Sequence, residues 1–290
     1  MSQQLKITHY YHSGFSVEAD DLLFVFDYWR GEHQELTGYR QLLPDDLKKY
    51  RAVYVFISHE HIDHMDPIVF TWKDLAPVNY IVSSDMPVGT RGKRMAPGDL
   101  LELEQGITVK AFDSTDLGVS YLLDIHGITV FHAGDLNFWH WRDESSIQEI
   151  EEAEKEFQTA IKPLSREKID VAFFPVDPRQ GTMFEAGANY FILAVKPRLM
   201  IPMHYFHRTE IILEYARTAS CRSTEVLAMP GIADSILLTF DDNGYMNISF
   251  PKQEAPQKEE ETLEEIEEDN PFFESDLPLS QLADEGEKQE

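Results

Sequence analysis

The chain has 290 residues, 42 % hydrophobic and 12 % aromatic, enough for one large buried core. Its 52 acidic against 25 basic side chains leave a net charge of -27; residues 252–290, with fifteen Asp or Glu and three Lys, carry -12 of it and the body the remaining -15. That acidity argues against a nucleic-acid backbone as the main partner, and the single Cys221 excludes an internal disulfide framework.

One cysteine also fits a reducing compartment, so a cytoplasmic protein is expected. Met1 to His12 lacks a basic stretch followed by an apolar one, and no apolar run approaches the roughly 18 residues a membrane helix needs. In chain order, strands are expected at Leu22–Phe26, Ala52–Ile57, Tyr80–Val82, Val119–Ile125 and Ile128–Phe131. Further ones are Val171–Val176, Leu199–Ile201, Glu225–Met229 and Ser235–Phe240, all short, β-branched or aromatic, and bounded by Gly, Pro, Asp or His. A helix is expected over Glu144–Leu164, with Ile147, Ile150, Phe157, Ile161 and Leu164 on one face and Ser145 or Ser146 as N-cap, Glu149 standing three after Ser146 as in a capping box. Shorter helices are expected at Ala186–Val195 and Glu210–Thr218. Strands interleaved with helices imply an α/β class. The domain is expected to span 1–250, followed by a Glu-dominated tail over 251–290 whose composition cannot offset its ordering entropy. A short docking motif at Pro271-Phe272-Phe273 or Leu277–Leu282 is the alternative reading of that tail.

Four strands run into a potential metal ligand: the first into Asp27, the second into His59, the fifth into Asp135, the seventh into His204. Strands delivering polar groups from the same end are how a rigid sheet positions a site. The run His59-Glu60-His61-Ile62-Asp63-His64 packs four potential ligands into six residues. Imidazoles with a carboxylate suit zinc, and also manganese or iron. A loop that starts with strand geometry sends His59 and His61 to one side, and a turn into a helix brings Asp63 and His64 to the other, so two adjacent ions are expected.

The same run, following an apolar strand, resembles the signature of the metallo-β-lactamase superfamily. Tyr10 to Val17 followed by Phe26-Asp27 is similar to the opening of the branch that holds ascorbate-phosphate lactonases and metal-dependent hydrolases. Phe131-His132-Ala133-Gly134-Asp135 and Ile201-Pro202-Met203-His204-Tyr205 resemble later motifs of that branch, and the likeness covers about residues 5 to 240. The resemblance implies a four-layer αβ/βα sandwich of two mixed sheets flanked by helices. It implies that His59 and His61 bind a first metal, that Asp63, His64 and His204 bind a second, and that Asp135 bridges them. Asp27 would anchor the loop from beneath, and Asp63 or a metal-bound water would manage the leaving-group proton. The family's third histidine on the first metal is replaced: its segment reads Ala111-Phe112-Asp113-Ser114-Thr115-Asp116-Leu117-Gly118. Asp116 is the favoured substitute and Asp113 the alternative.

Among the other candidates, His12 reaches the site mouth or makes an ordinary hydrogen bond, and Glu60 points outward. His132 ends a strand, His126 lies in a surface turn, and Cys221 reads as a small buried residue. Phe138-Trp139-His140-Trp141-Arg142 either walls the substrate pocket or latches the next helix. Arg179 and Arg208 are the cations nearest the mouth. The expectation is thus a hydrolase with two divalent ions per chain, zinc first, acting on a small ester, lactone or phosphoester. Rival readings are an RNA-processing nuclease, a di-iron redox protein, and a binding protein that has kept the fold.

Overall fold

The structure, a computed structural model, describes residues 3–31, 41–231 and 234–251. Of the expected tail, everything from residue 252 onward lies outside them. Six strands come first: β1 (Gln3–Tyr11), β2 (Gly14–Ala19), β3 (Leu22–Phe26), β4 (Ala52–Ile57), β5 (Val78–Ser83) and β6 (Lys93–Met95). The next seven are β7 (Leu100–Glu102), β8 (Thr108–Phe112), β9 (Ser120–Ile125), β10 (Ile128–His132), β11 (Val171–Pro175), β12 (Leu199–Met203) and β13 (Glu225–Val226). The chain then returns to the first sheet with β14 (Ser235–Phe240) and β15 (Met246–Ser249). The two mixed sheets run β15-β14-β1-β2-β3-β4-β5-β6 and β13-β12-β11-β10-β9-β8-β7.

The alternation of side chains along β3 and β4 builds two cores. Phe24, Phe26, Tyr54 and Phe56 face the second sheet, whereas Leu23, Val25, Val53, Val55 and Ile57 face outward under Trp72 and Val69 of the 3-10 turn at Pro67–Asp74 and Leu47 of the short α1 (Pro44–Leu47). Phe15 stacks on Phe173 across the sheets at 4.1 Å, and the buried Tyr121 hydroxyl donates to Ile57 O at 3.0 Å. Helices α2 (Ile147–Leu164), α3 (Ala186–Val195) and α4 (Thr209–Ala219) add Phe157, Phe191 and Ile212 to the larger core. This is the expected sandwich with flanking helices.

The start of α2 is the expected capping box: Ser146 Oγ accepts from Glu149 N, and the Glu149 carboxylate accepts from Ser146 N at 2.8 Å. Its buried face is shorter than the sequence implies. Phe157, Ala160, Ile161 and Leu164 are buried, but Ile147 is 77 % exposed, so the packed face begins after the first turn. The strand expected at Glu225–Met229 shortens to β13. The run after His59 also departs from expectation, forming a turn closed by His64 N to His61 O at 3.0 Å, with helical geometry only from Pro67 and then of 3-10 type.

Candidate metal centre

Four strand ends and one hairpin meet at one edge of the sandwich. β3 ends on Asp27, β4 on Ser58-His59, β10 leads through Ala133-Gly134 to Asp135, β12 ends on His204, and the turn between β1 and β2 supplies His12. Parallel pairing of β3 with β4, and of β10 with β11 and β11 with β12, brings their carboxyl ends level. The backbone there is strained: His12, Asp27, His204 and Phe206 all take positive φ, at 54°, 41°, 66° and 49°. Non-glycine residues rarely adopt it, and they cluster where surrounding contacts over-determine a site.

The loop segment before β9 approaches unusually closely. A Cβ on Gly118 would lie 1.9 Å from Ser58 O, and φ there is +80°. Only glycine lets this segment reach the His59 loop. Thr115 is tied to the loop after Asp135, accepting from Asn137 N at 3.0 Å and donating to Asn137 O. Together these bring Asp116 beside His61 and Asp135. Asp113 instead is exposed and accepts from Ser114 N at 3.1 Å, so the structure brings Asp116 rather than Asp113 to the cluster.

Beneath the loop, buried Asp27 accepts from Ser58 N at 2.8 Å, Ser58 Oγ at 2.6 Å and His64 Nδ1 at 2.7 Å. Asp177 holds His204 the same way, Oδ2 to Nδ1 at 3.0 Å, and is itself gripped by Arg179. Each carboxylate fixes an imidazole with Nδ1–H behind and the Nε2 lone pair forward, the orientation a metal ligand needs. Burial works against ionisation of Asp177, but hydrogen bonds from His204 and Arg179 hold it down at about 2. Asp177 was missed as an anchor, although it follows β11 as the four predicted ligands follow their own strands.

The forward atoms converge around Asp135. His59 Nε2 lies 3.3 Å and His61 Nδ1 4.0 Å from Asp135 Oδ2, while His64 Nε2 and His204 Nε2 lie 2.9 and 3.2 Å from Oδ1. Ligand atoms within 4.8 Å of one another form three overlapping sets: His12, Asp63, His64 and His204; His59, His64 and Asp135; His61, Asp116 and Asp135. For metal–nitrogen bonds of about 2.0–2.1 Å, tetrahedral ligands stand roughly 3.3 Å apart, which matches these spacings.

Buried polar atoms normally find a partner. Here Nε2 of His12, His64 and His204 and Oδ1 of Asp135 are buried without a completed hydrogen bond. Burial opposes protonation of His64 and His204, yet Asp135 and the carboxylates behind them raise both pKa values. Burial likewise works against ionisation of Asp63 and Asp135, and the surrounding imidazoles hold both well below the usual carboxylate range. Such a cage attracts positive charge and fits divalent ions.

The remaining candidates separate cleanly. Glu60 is exposed, His126 sits in an exposed turn at φ 54°, and His132 is buried with Nε2 on Ser13 O at 2.9 Å. Cys221 is exposed, not buried, because the loop carrying it follows α4 on the surface. The aromatic run splits between its two readings. Trp139 stands 5.4 Å from His204 and donates to Asp135 O, whereas Phe138 stacks on Phe157 and latches α2. Arg179 lies 4.5 Å over Phe206, beside the centre. Arg208 is exposed at the start of α4.

Solved structures share this architecture. The metallo-β-lactamase fold protein of Bacillus subtilis superposes with a TM-score of 0.51 at 15 % identity, covering 85 % of this chain and 100 % of that one. That likeness shows a metallo-β-lactamase-type fold, and the ligand-bearing strand ends stand in the expected order. A metallo hydrolase from the archaeon Ignicoccus hospitalis has a TM-score of 0.60 at 19 % identity, covering 82 % of this chain and 100 % of that one. A UPF0173 metal-dependent hydrolase of Pyrobaculum neutrophilum is 26 % identical over 216 residues, 69 % of this chain and 84 % of its own. No family model matches the chain.

Proposed function

We propose that this protein is a metal-dependent hydrolase of the metallo-β-lactamase superfamily with a dinuclear centre, zinc first and manganese or iron as alternatives, acting on a small ester, lactone or phosphoester. The observation that carries this reading is the convergence on Asp135, whose two carboxylate oxygens face two different sets of imidazoles. Metal-dependent hydrolase is also the description of the Pyrobaculum relative.

Bound there, divalent ions would supply Lewis acidity and lower the pKa of water towards about 7. His61, with 44 % of its side chain exposed, and the exposed Asp116 mark the face from which substrate would approach. Trp139 and Phe206 would wall that approach. Arg179 uses Nε and Nη2 on Asp177, which supports a role for Nη1 in receiving an anionic substrate group. Asp63, held ionised, suits coordination first and proton transfer second.

A net charge of -27 favours a small-molecule substrate over nucleic acid, and the free Cys221 fits a reducing, cytoplasmic setting. Among the described residues no helix is long and apolar enough to cross a membrane. Fold alone selects no substrate, so a panel of chromogenic esters, lactones and phosphodiesters is the test. At least one should be cleaved by the metal-loaded protein and lost on Asp135→Asn. An activity surviving that substitution would belong elsewhere, and a loaded protein inert to the whole panel would favour a binding role.

A further inference from the structure

The sequence left His12 between the site mouth and an ordinary hydrogen bond. The structure excludes the second. His12 is fully buried, and neither ring nitrogen completes a hydrogen bond. Other buried histidines nearby behave differently: His132 bonds Ser13 O at 2.9 Å and His9 bonds Met229 O at 3.0 Å. His12 Nε2 instead stands 3.4 Å from Asp63 Oδ2, in the set that also holds His64 and His204.

The ring is held in that place from every side. Its neighbours are Phe206 and His204, each with ring centroids 4.1 Å away, and Trp29 at 5.7 Å. The two histidine loops are joined by the backbone, His204 N donating to His12 O at 3.2 Å. Both residues take the left-handed conformation that this junction requires.

We propose that His12 is a ligand of the second ion, completing with Asp63, His64, His204 and the bridging Asp135 a set closed by protein donors. The inference rests on the dinuclear reading above. It assigns Nε2 of His12 and leaves Nδ1 without a partner. Sites closed by protein donors hold structural ions, whereas catalytic sites keep a position open. His12, His64 and His204 are buried, while His61 and Asp116 are exposed. The two ions therefore differ: the second is buried, tight and structural, and the first, on the His61 and Asp116 side, is weaker and faces substrate.

The test is metal binding, read without activity. Zinc content after equilibrium dialysis against graded chelator should show one equivalent retained long after the other is lost. His12→Asn tolerates the left-handed backbone, and it should weaken the tight ion at least tenfold while leaving the weak one unchanged. His126→Asn, at an exposed left-handed histidine, should change neither. Unchanged retention of the tight ion in His12→Asn overturns the inference and leaves the dinuclear reading standing. A wild-type protein that takes up no zinc, manganese or iron overturns both. Should His12→Asn fail to fold, X-ray absorption fine structure of wild type at one equivalent of zinc decides: three imidazoles support the assignment, and two or fewer overturn it.

Discussion

Asp27 does the work of three contacts from one carboxylate. It holds the Ser58 backbone, the Ser58 hydroxyl and the back of the His64 ring, all at 2.8 Å or less. Asp27→Asn replaces one acceptor oxygen by an NH2 facing donors, so the loop loses an anchor and His64 its tautomer. Carboxylates behind metal-bound histidines typically account for about 10–100-fold in affinity, and that loss is expected in a chelator competition, with the fold retained by circular dichroism. His9 is a second residue whose environment sets a measurable property. Burial, opposed by hydrogen bonds to His12 and Met229 carbonyls, pushes its pKa from 6.5 down to about 4. The folded state therefore refuses a proton that the unfolded chain accepts. The stability this group contributes is complete above pH 6.5 and is lost as pH falls towards 4, by roughly 3 kcal/mol at most. Urea unfolding of the metal-free protein between those pH values should show a shallower pH slope in His9→Gln than in wild type; equal slopes would show that His9 takes no part.

At the scale of elements, the loop from Asp113 to Gly118 decides what the first ion meets. Gly118→Ala combines a left-handed backbone with a Cβ driven against Ser58 O, whereas Gly98, at φ +92°, has nothing within 4 Å of an added Cβ. Gly98→Ala should cost about 1–2 kcal/mol for the backbone alone. Gly118→Ala should cost clearly more in urea unfolding and should lower occupancy of the weaker ion by displacing Asp116. This loop also marks the limit of what the sequence discloses. Strands β3, β4, β10, β11 and β12 are apolar runs that stop at polar residues, so both their existence and their shared business end were legible. β1 and β2 were missed although they alternate, Leu5 and Ile7 with Lys6 and Thr8, and Phe15, Val17 and Ala19 with Ser16 and Glu18; their short mixed runs stand out less than the continuous apolar strands. The choice between Asp113 and Asp116 depended on a close approach of Gly118 to Ser58, sixty positions distant in the chain. His12 posed the same difficulty, since its neighbours Asp63 and His204 come from remote loops. Asp177 was legible in principle: it follows β11 by two residues, much as His204 follows β12.

On the whole molecule, the candidate ligands come from β10, β12, the β1–β2 turn and two loops, and therefore from both sheets. A pair of ions held by all of them clamps the sandwich along one edge. Binding to the folded state alone stabilises it by about 4 kcal/mol when free metal exceeds the dissociation constant a thousandfold. For a domain of this size each kcal/mol raises Tm by about 2–4 °C. Zinc-loaded protein should accordingly melt roughly 8–16 °C above protein stripped by chelator, and restored zinc should restore the transition. The difference should shrink as pH falls, because His64 and His204 sit among carboxylates that raise their pKa and protons then compete with the ion. Most of the shift should be regained with the first equivalent of metal, since the buried set of His12, Asp63, His64 and His204 joins the β1–β2 turn of the first sheet to β12 of the second. Coincident melting curves with and without metal, across that pH range, would mean that the edge is held by protein contacts alone and that no ion clamps the two sheets.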